Sequence, residues 1–172
     1  MTVLVEDGTG VVGANSYASE DDFDQYCEDR NYTVTVGDTE AALIRGTGIL
    51  DGIYRKSYPG TRAWGRDQPL QWPRMNATDA EGEEIAIDEI PQEIIDATCE
   101  IALRELASPN SVLPDLERGG AIKSIKAGSV ALEYGDTASA VTTLQIVDGI
   151  LSSLLGGSAR GGGASSGFAA RG

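Results

Sequence analysis

Between Pro91 and Pro109 the chain carries Ile94, Ile95, Thr98, Cys99, Ala102, Leu103 and Leu106 at spacings of three and four. That period puts them on one stripe of a helix, and a stripe of this kind must be buried against other elements. It commits the chain to a core built on helix packing. Pro91 at the first helical position and Glu93 in the first turn start the helix, and Ser108-Pro109-Asn110 ends it. Arg104 near its end complements the helix dipole.

Three further segments share the period. Ser19 followed by Glu20, Asp21 and Asp22 is an N-terminal signature, and Phe23, Tyr26 and Cys27 continue it as a helix over 20–30. Leu43, Ile44, Gly46, Thr47, Leu50, Ile53 and Tyr54 fill a broad stripe over 40–55, with Thr39 as a cap. Gly46, Gly48 and Gly52 weaken that helix by about 1 kcal/mol each relative to alanine. They mark either close approach of another helix or chain, or tolerated surface positions. Ile146, Val147, Ile150, Leu151, Leu154 and Leu155 give a fourth helix over 142–155, stopped by Gly156-Gly157.

Between the helices the pattern changes. Residues 2–5 read as a short strand or extended arm, followed by turn chemistry at Asp7-Gly8. Residues 56–90 form a long irregular loop that holds both tryptophans, Trp64 and Trp72. A loop of that length inside a domain is functional or interface-forming. Residues 121–134 alternate as a small β-hairpin about Ala127-Gly128. Residues 156–172 are almost entirely Gly, Ala, Ser and Arg, the composition of a linker or tail. The expectation is a mainly α fold: a small bundle of about four helices over residues 1–155, with the loop at 56–90, the hairpin at 121–134 and an extended C-terminal tail at 156–172.

Charge narrows the function. Thirteen Lys and Arg face 27 Asp and Glu, a net charge of −14, and there is no histidine. A binder that works by neutralising phosphates needs a basic face, and this chain repels polyanions on average. Without histidine there is no imidazole base, no Ser-His-Asp triad and no histidine-ligated metal. The charge is also segregated. Residues 1–54 hold eleven acids and two bases, and residues 79–100 hold nine acids and no base. Residues 55–74 hold Arg55, Lys56, Arg62, Arg66 and Arg74 against Asp67 alone. Tyr58, Trp64 and Trp72 among those bases could stack on single-stranded nucleic acid, anchor the loop on the helices, or sit in a protein interface.

Motifs for chemistry are weak. Gly8-Thr9-Gly10-Val11-Val12-Gly13 matches G-x-G-x-x-G, but only four residues of strand precede it and no helix follows directly. No Walker lysine follows a Gly-rich stretch, and the acids of 81–89 lack calcium-loop spacing. Cys27 and Cys99 are not in metal-ligand spacing and read as reduced, buried thiols. No apolar run is long enough to span a membrane, and the N-terminus lacks signal-peptide character. The reading is a non-enzymatic interaction or assembly protein with no cofactor, no metal and no membrane, made in a reducing cytoplasm.

Several phrases together resemble one family. They are Val5-Glu6-Asp7-Gly8-Thr9-Gly10 with Ala14-Asn15-Ser16-Tyr17, then Ala42-Leu43-Ile44-Arg45-Gly46-Thr47 with Leu50-Asp51 and Tyr54. Gln68-Pro69-Leu70-Gln71-Trp72-Pro73-Arg74 follows, then Ile90-Pro91 leading into Ala97-Thr98-Cys99-Glu100-Ile101-Ala102, then Ile122-Lys123-Ser124 and Val130-Ala131-Leu132-Glu133-Tyr134. Over residues 3–155 the chain resembles the head–tail connector (adaptor, head-completion) proteins of tailed bacteriophages, a group often labelled DnaT-like single-stranded-DNA-binding.

The resemblance implies a structural protein of the virion neck. It would form a homo-oligomeric ring, a dodecamer in such adaptors, beneath the portal protein. The ring would extend the channel for genomic double-stranded DNA and dock the stopper or tail-completion protein. In related adaptors the C-terminal segment grips the portal, and the Gly-rich end here departs from that pattern. The partner-interface candidates are Arg62, Trp64, Arg66, Trp72 and Arg74 in the loop and Arg160, Phe168 and Arg171 in the tail. The competing readings are a single-stranded-DNA binder that uses the basic aromatic loop, and an enzyme that uses acidic residues and a metal.

Overall fold

Ser19 begins the first helix. Its hydroxyl accepts from the Asp22 amide while the Asp22 carboxylate accepts from the Ser19 amide, a reciprocal capping box that opens α1 (Glu20–Asp29). The cap of α2 (Thr39–Tyr54) is Asp38, whose carboxylate accepts from the Ala41 amide; Thr39, expected as the cap, is the first helical residue. Helix α3 (Gln92–Ala107) starts directly after Pro91. The chain folds back through β5 (Ile125–Ala127) and β6 (Val130–Leu132) into α4 (Ala140–Ile150) and the short α5 (Ser152–Leu155). The computed structural model describes residues 2–112, 125–127, 130–132 and 140–155. The fold is mainly α and small.

The fourth predicted helix is broken at Leu151 into α4 and α5. The two strands of the expected hairpin pair antiparallel, with Ala127 opposite Val130 and Ile125 opposite Leu132. The remainder of 121–134 and the whole tail at 156–172, with Arg160, Phe168 and Arg171, lie outside the described residues.

Helix α3 is the centre of the core. Ile94, Ala97 and Ile101 pack with Leu50 and Tyr54 of α2, Val147 of α4 and Leu151 and Leu154 beyond it. Cys99, Ala102 and Leu106 pack with Phe23, Tyr26 and Cys27 of α1 and Ala42 and Leu43 of α2. The sequence pattern predicts one buried stripe, but α3 is buried on nearly every side, Glu100 and Glu105 included. Both carboxylates are paired, as buried charges must be. Glu100 takes Arg104 at 3.0 Å and the Tyr26 hydroxyl at 3.1 Å; Glu105 takes Arg45 at 3.1 Å and the Asn110 amide at 2.9 Å.

The glycines of α2 divide. A Cβ on Gly46 would stand 3.1 Å from the Thr98 carbonyl oxygen and 3.3 Å from the Ala102 amide, so its bareness lets α2 lie against α3. Gly48 and Gly52 have nothing within 4 Å of that position. Both cysteines are free and buried. No helix among the described residues is long and apolar enough to cross a membrane.

The stretch 56–90 is less irregular than its composition suggests. β1 (Thr61–Arg62) pairs antiparallel with β2 (Arg74–Met75), and β3 (Ala77–Thr78) pairs with β4 (Glu84–Ile85). Strands of two residues carry no readable alternation, which is why the sequence pattern misses them.

Candidate functional site

The loop is held to the helices by one polar junction. The Tyr17 hydroxyl accepts from the amides of Gln71 (2.8 Å) and Trp72 (3.1 Å) and donates to the Asp51 carboxylate at 2.9 Å. Asp51 Oδ2 also accepts from the Gln71 amide at 3.0 Å. Burial raises the Asp51 carboxyl to about 6, against the lowering pull of the Gln71 amide and the Tyr17 hydroxyl. Burial also holds the Tyr17 phenol well above its ordinary value.

Around this junction the expected interface residues separate into inside and outside. Trp72, which follows the junction and precedes a cis Trp72–Pro73 bond, is fully buried in the core. Its ring meets Tyr58 edge-on, centroids 5.7 Å apart. Arg74 turns inward as well. Its Nε donates to the Pro59 carbonyl (2.5 Å), Nη2 to Gly60 (2.7 Å) and Nη1 to Gln71 (3.1 Å). Three carbonyls from two turns are thus held by one guanidinium. Trp72 and Arg74 are therefore corrected from surface candidates to internal supports. The apolar area of the Trp72 indole gains from burial and outweighs an indole N–H left without an acceptor, and a buried guanidinium needs the acceptors that these turns supply.

Trp64 takes the opposite position, at 55% exposed. Its amide donates to Gln68 Oε1 at 3.0 Å, and the other end of buried Gln68 donates to the carbonyls of Leu70 and Pro73. The Trp64 indole lies over Gly10, where a Cβ would come within 2.5 Å of the indole nitrogen. Arg62 is half-buried and donates to the Gln68 carbonyl at 3.2 Å, while Arg66 is exposed in a short 3-10 turn, Gly65–Asp67. Of the five loop candidates, the structure leaves Trp64 and Arg66 outward, Arg62 at the margin, and Trp72 and Arg74 inside.

The Gly8–Gly13 motif has its own anion. Glu6 is 1% exposed, and its Oε1 accepts from the amides of Gly8 (3.1 Å) and Gly10 (2.9 Å). The amides that would cradle a phosphate in a dinucleotide site are taken by this carboxylate. The motif is a turn that seats Trp64, and it leaves no phosphate cradle.

Glu6, Asp51 and Gln68 are the organising residues that motif searching passes over. The signal for each is a lone polar residue beside a turn or within an apolar stripe. Tyr17, Asp51 and the pair Trp72 and Arg74 come from three separate sequence phrases that carry the resemblance, and the fold joins those phrases at one junction. No curated protein and no solved structure matches the chain. Along residues 1–172 the chain matches the model of the family described as "Putative DnaT-like ssDNA binding protein", and it belongs to that family.

Proposed function

We propose that the chain is a structural protein of a tailed-phage virion, a head–tail connector that assembles as a ring beneath the portal, and not an enzyme. The observation that carries this reading is the fate of the basic aromatic loop. Tyr58, Trp72 and Arg74 are spent on internal packing. What remains outward is one indole, Trp64, with Arg66 exposed and Arg62 half-buried beside it, and Arg55 and Lys56 exposed at the start of the loop. One aromatic anchor flanked by arginines is the composition of a protein-interface hot spot. Ring closure multiplies a modest contact of this kind into a stable assembly. In this reading the ring docks portal above and stopper or tail-completion protein below, and the acid-free end with Arg160, Phe168 and Arg171 serves the portal contact. The net charge of −14 suits a wall past which double-stranded DNA slides without sticking.

The second reading is a single-stranded-DNA binder, as the family's description says. It is favoured by the half-exposed Trp64 between two arginines, a platform on which one base could stack. Two measurements separate the readings. Light scattering coupled to size exclusion, with electron microscopy of labelled virion necks, is expected to find rings at the head–tail junction. Quenching of Trp64 fluorescence by an oligonucleotide at low salt is expected to be absent. Saturable quenching that collapses with salt, with no neck labelling, would overturn the connector reading in favour of the second.

A further inference from the structure

Among the described residues, the large apolar side chains that stand exposed fall into two groups, with Ile146 alone outside them. The first surrounds the Gly8–Gly13 turn. Trp64 lies over Gly10, and Leu4 comes within 3.7 Å of a Cβ placed on Gly13. Val12 stands 92% exposed beside it, and Ile87 precedes Asp88, whose carbonyl lies against Gly8. The second group is on the connection from α1 to α2: Tyr32, Val34 and Val36. Tyr32 and Val34 line a cleft of about 460 Å³ together with the exposed carboxylates of Asp24 and Glu28. That volume is within the ~300–1,000 Å³ range of sites that enclose a small ligand.

The two groups are opposite in form and in charge. The first projects: a half-exposed indole stands beside Arg62 and Arg66, and Asp67 is the one acid in residues 55–74. Neither arginine holds an ion pair among the described residues. The second is concave and acidic. The groups also back onto different faces of α3. Val11 and Trp72, from the turn and the loop, pack in the cluster of Ile94, Ala97 and Ile101. Cys27, which lines the cleft, packs in the cluster of Cys99, Ala102 and Leu106. The core therefore stands between a chain's own indole and its own cleft.

We propose that Trp64 of one copy seats in the Asp24–Glu28 cleft of a second copy, with Arg66 on the two carboxylates. An indole over Tyr32 and Val34 is an aromatic anchor in a pocket, the centre of a protein interface. A guanidinium on carboxylates is a charge-assisted contact that fixes its orientation. The aliphatic neighbours Leu4, Val12 and Ile87 offer no stacking face to a base, and a cleft bordered by acids repels phosphate, so the occupant is protein. Each surface finds its complement in charge and shape on this same chain. Two unlike surfaces that fit make a head-to-tail contact, which closes as a ring or continues as a filament. The pairing deepens the connector reading, on which it rests for closure into a ring.

The test is a charge exchange between full-length chains, read by sedimentation velocity. The parent is expected to associate as concentration rises, and less so as salt rises, because the contact joins opposite charges. Arg66→Glu makes indole rim and cleft both acidic, and Asp24→Lys with Glu28→Lys makes both basic. Each variant alone is expected to raise its Kd about tenfold or more, as like charges then face each other. Mixed one to one, the two are expected to recover association, since every indole then meets a cleft of opposite charge. Trp64→Ala is expected to lose association in every combination. The three acidic and basic positions are exposed, and circular dichroism checks that each variant keeps its helices. A parent chain that stays monomeric, single variants that associate like the parent, or a mixture no better than its components would each overturn the pairing. Rings that ignore all these substitutions overturn the pairing and leave the connector reading standing. A rescued mixture that grows as open chains supports the pairing and counts against the ring.

Discussion

The Tyr17 hydroxyl reaches Asp51 at 2.9 Å and, from its other side, accepts two amides of the loop that leads into Trp72. One phenol thus ties the N-terminal arm, α2 and the long loop together. Because the half-buried Asp51 carboxyl is desolvated against the loop, it is raised from 3.8 to about 6. The folded chain holds this proton at a pH where the unfolded chain has released it. Stability from this group is therefore full below about pH 4 and falls as pH rises to about 6, by on the order of 3 kcal/mol at most. Asp51→Asn removes the titration and keeps an oxygen for the Gln71 amide. Urea melts across that window should show the parent losing stability relative to Asp51→Asn, and parallel curves would contradict the assignment.

The two tryptophans should respond oppositely to truncation. Trp72→Ala empties a core site between Tyr58 and the helices and should cost about 3–5 kcal/mol. Trp64→Ala removes a half-exposed ring and should change stability by less than about 1 kcal/mol, while weakening assembly. Chemical denaturation gives the first quantity and light scattering the second. A stable Trp72→Ala, or a Trp64→Ala that assembles normally, would reverse the inside–outside division.

That division was not legible in the sequence. Both indoles sit among prolines, glycines and bases, and neighbours distant in sequence decide their fates. Trp72 goes inside because Tyr17, 55 positions earlier, fixes its amide, and Trp64 stays outside because Gly10 offers it a bare backbone. The helices were legible because apolar period and capping chemistry are local: Ser19 with Asp22 is a capping box within four residues. The pairing of β5 with β6 was equally local. Buried Glu100 and Glu105 were not legible, because their partners Tyr26 and Arg45 lie on other helices.

The three glycines of α2 give a sharper test of helix packing. Gly48 and Gly52 face open space at ordinary helical geometry, so alanine at either should stabilise by about 0.5–1 kcal/mol. Gly46 faces the backbone of α3, which cannot yield as a side chain does. Gly46→Ala should lose most of that helical gain, and Gly46→Val should destabilise by about 1–3 kcal/mol through overpacking. Thermal melts of the single variants rank the positions. A Gly46→Ala as stabilising as Gly48→Ala would mean that α2 and α3 are further apart than the structure has them.

Glu6 supports Trp64 through the loop it folds. Glu6→Ala leaves the buried Gly8 amide and the Gly10 amide without their acceptor, a cost of about 1–3 kcal/mol. Glu6→Gln keeps the accepting oxygen on the side that both amides use, and the oxygen it replaces has no partner, so it should cost less than Glu6→Ala. Because Gly10 lies directly under the indole, loss of the turn should also free Trp64. Acrylamide quenching reads this selectively, since buried Trp72 is shielded. Glu6→Ala is expected to quench more than the parent and Glu6→Gln to match it. If the alanine variant leaves quenching and stability unchanged, the turn is held by something other than this carboxylate, and Trp64 owes its rigid seat to Gln68 alone.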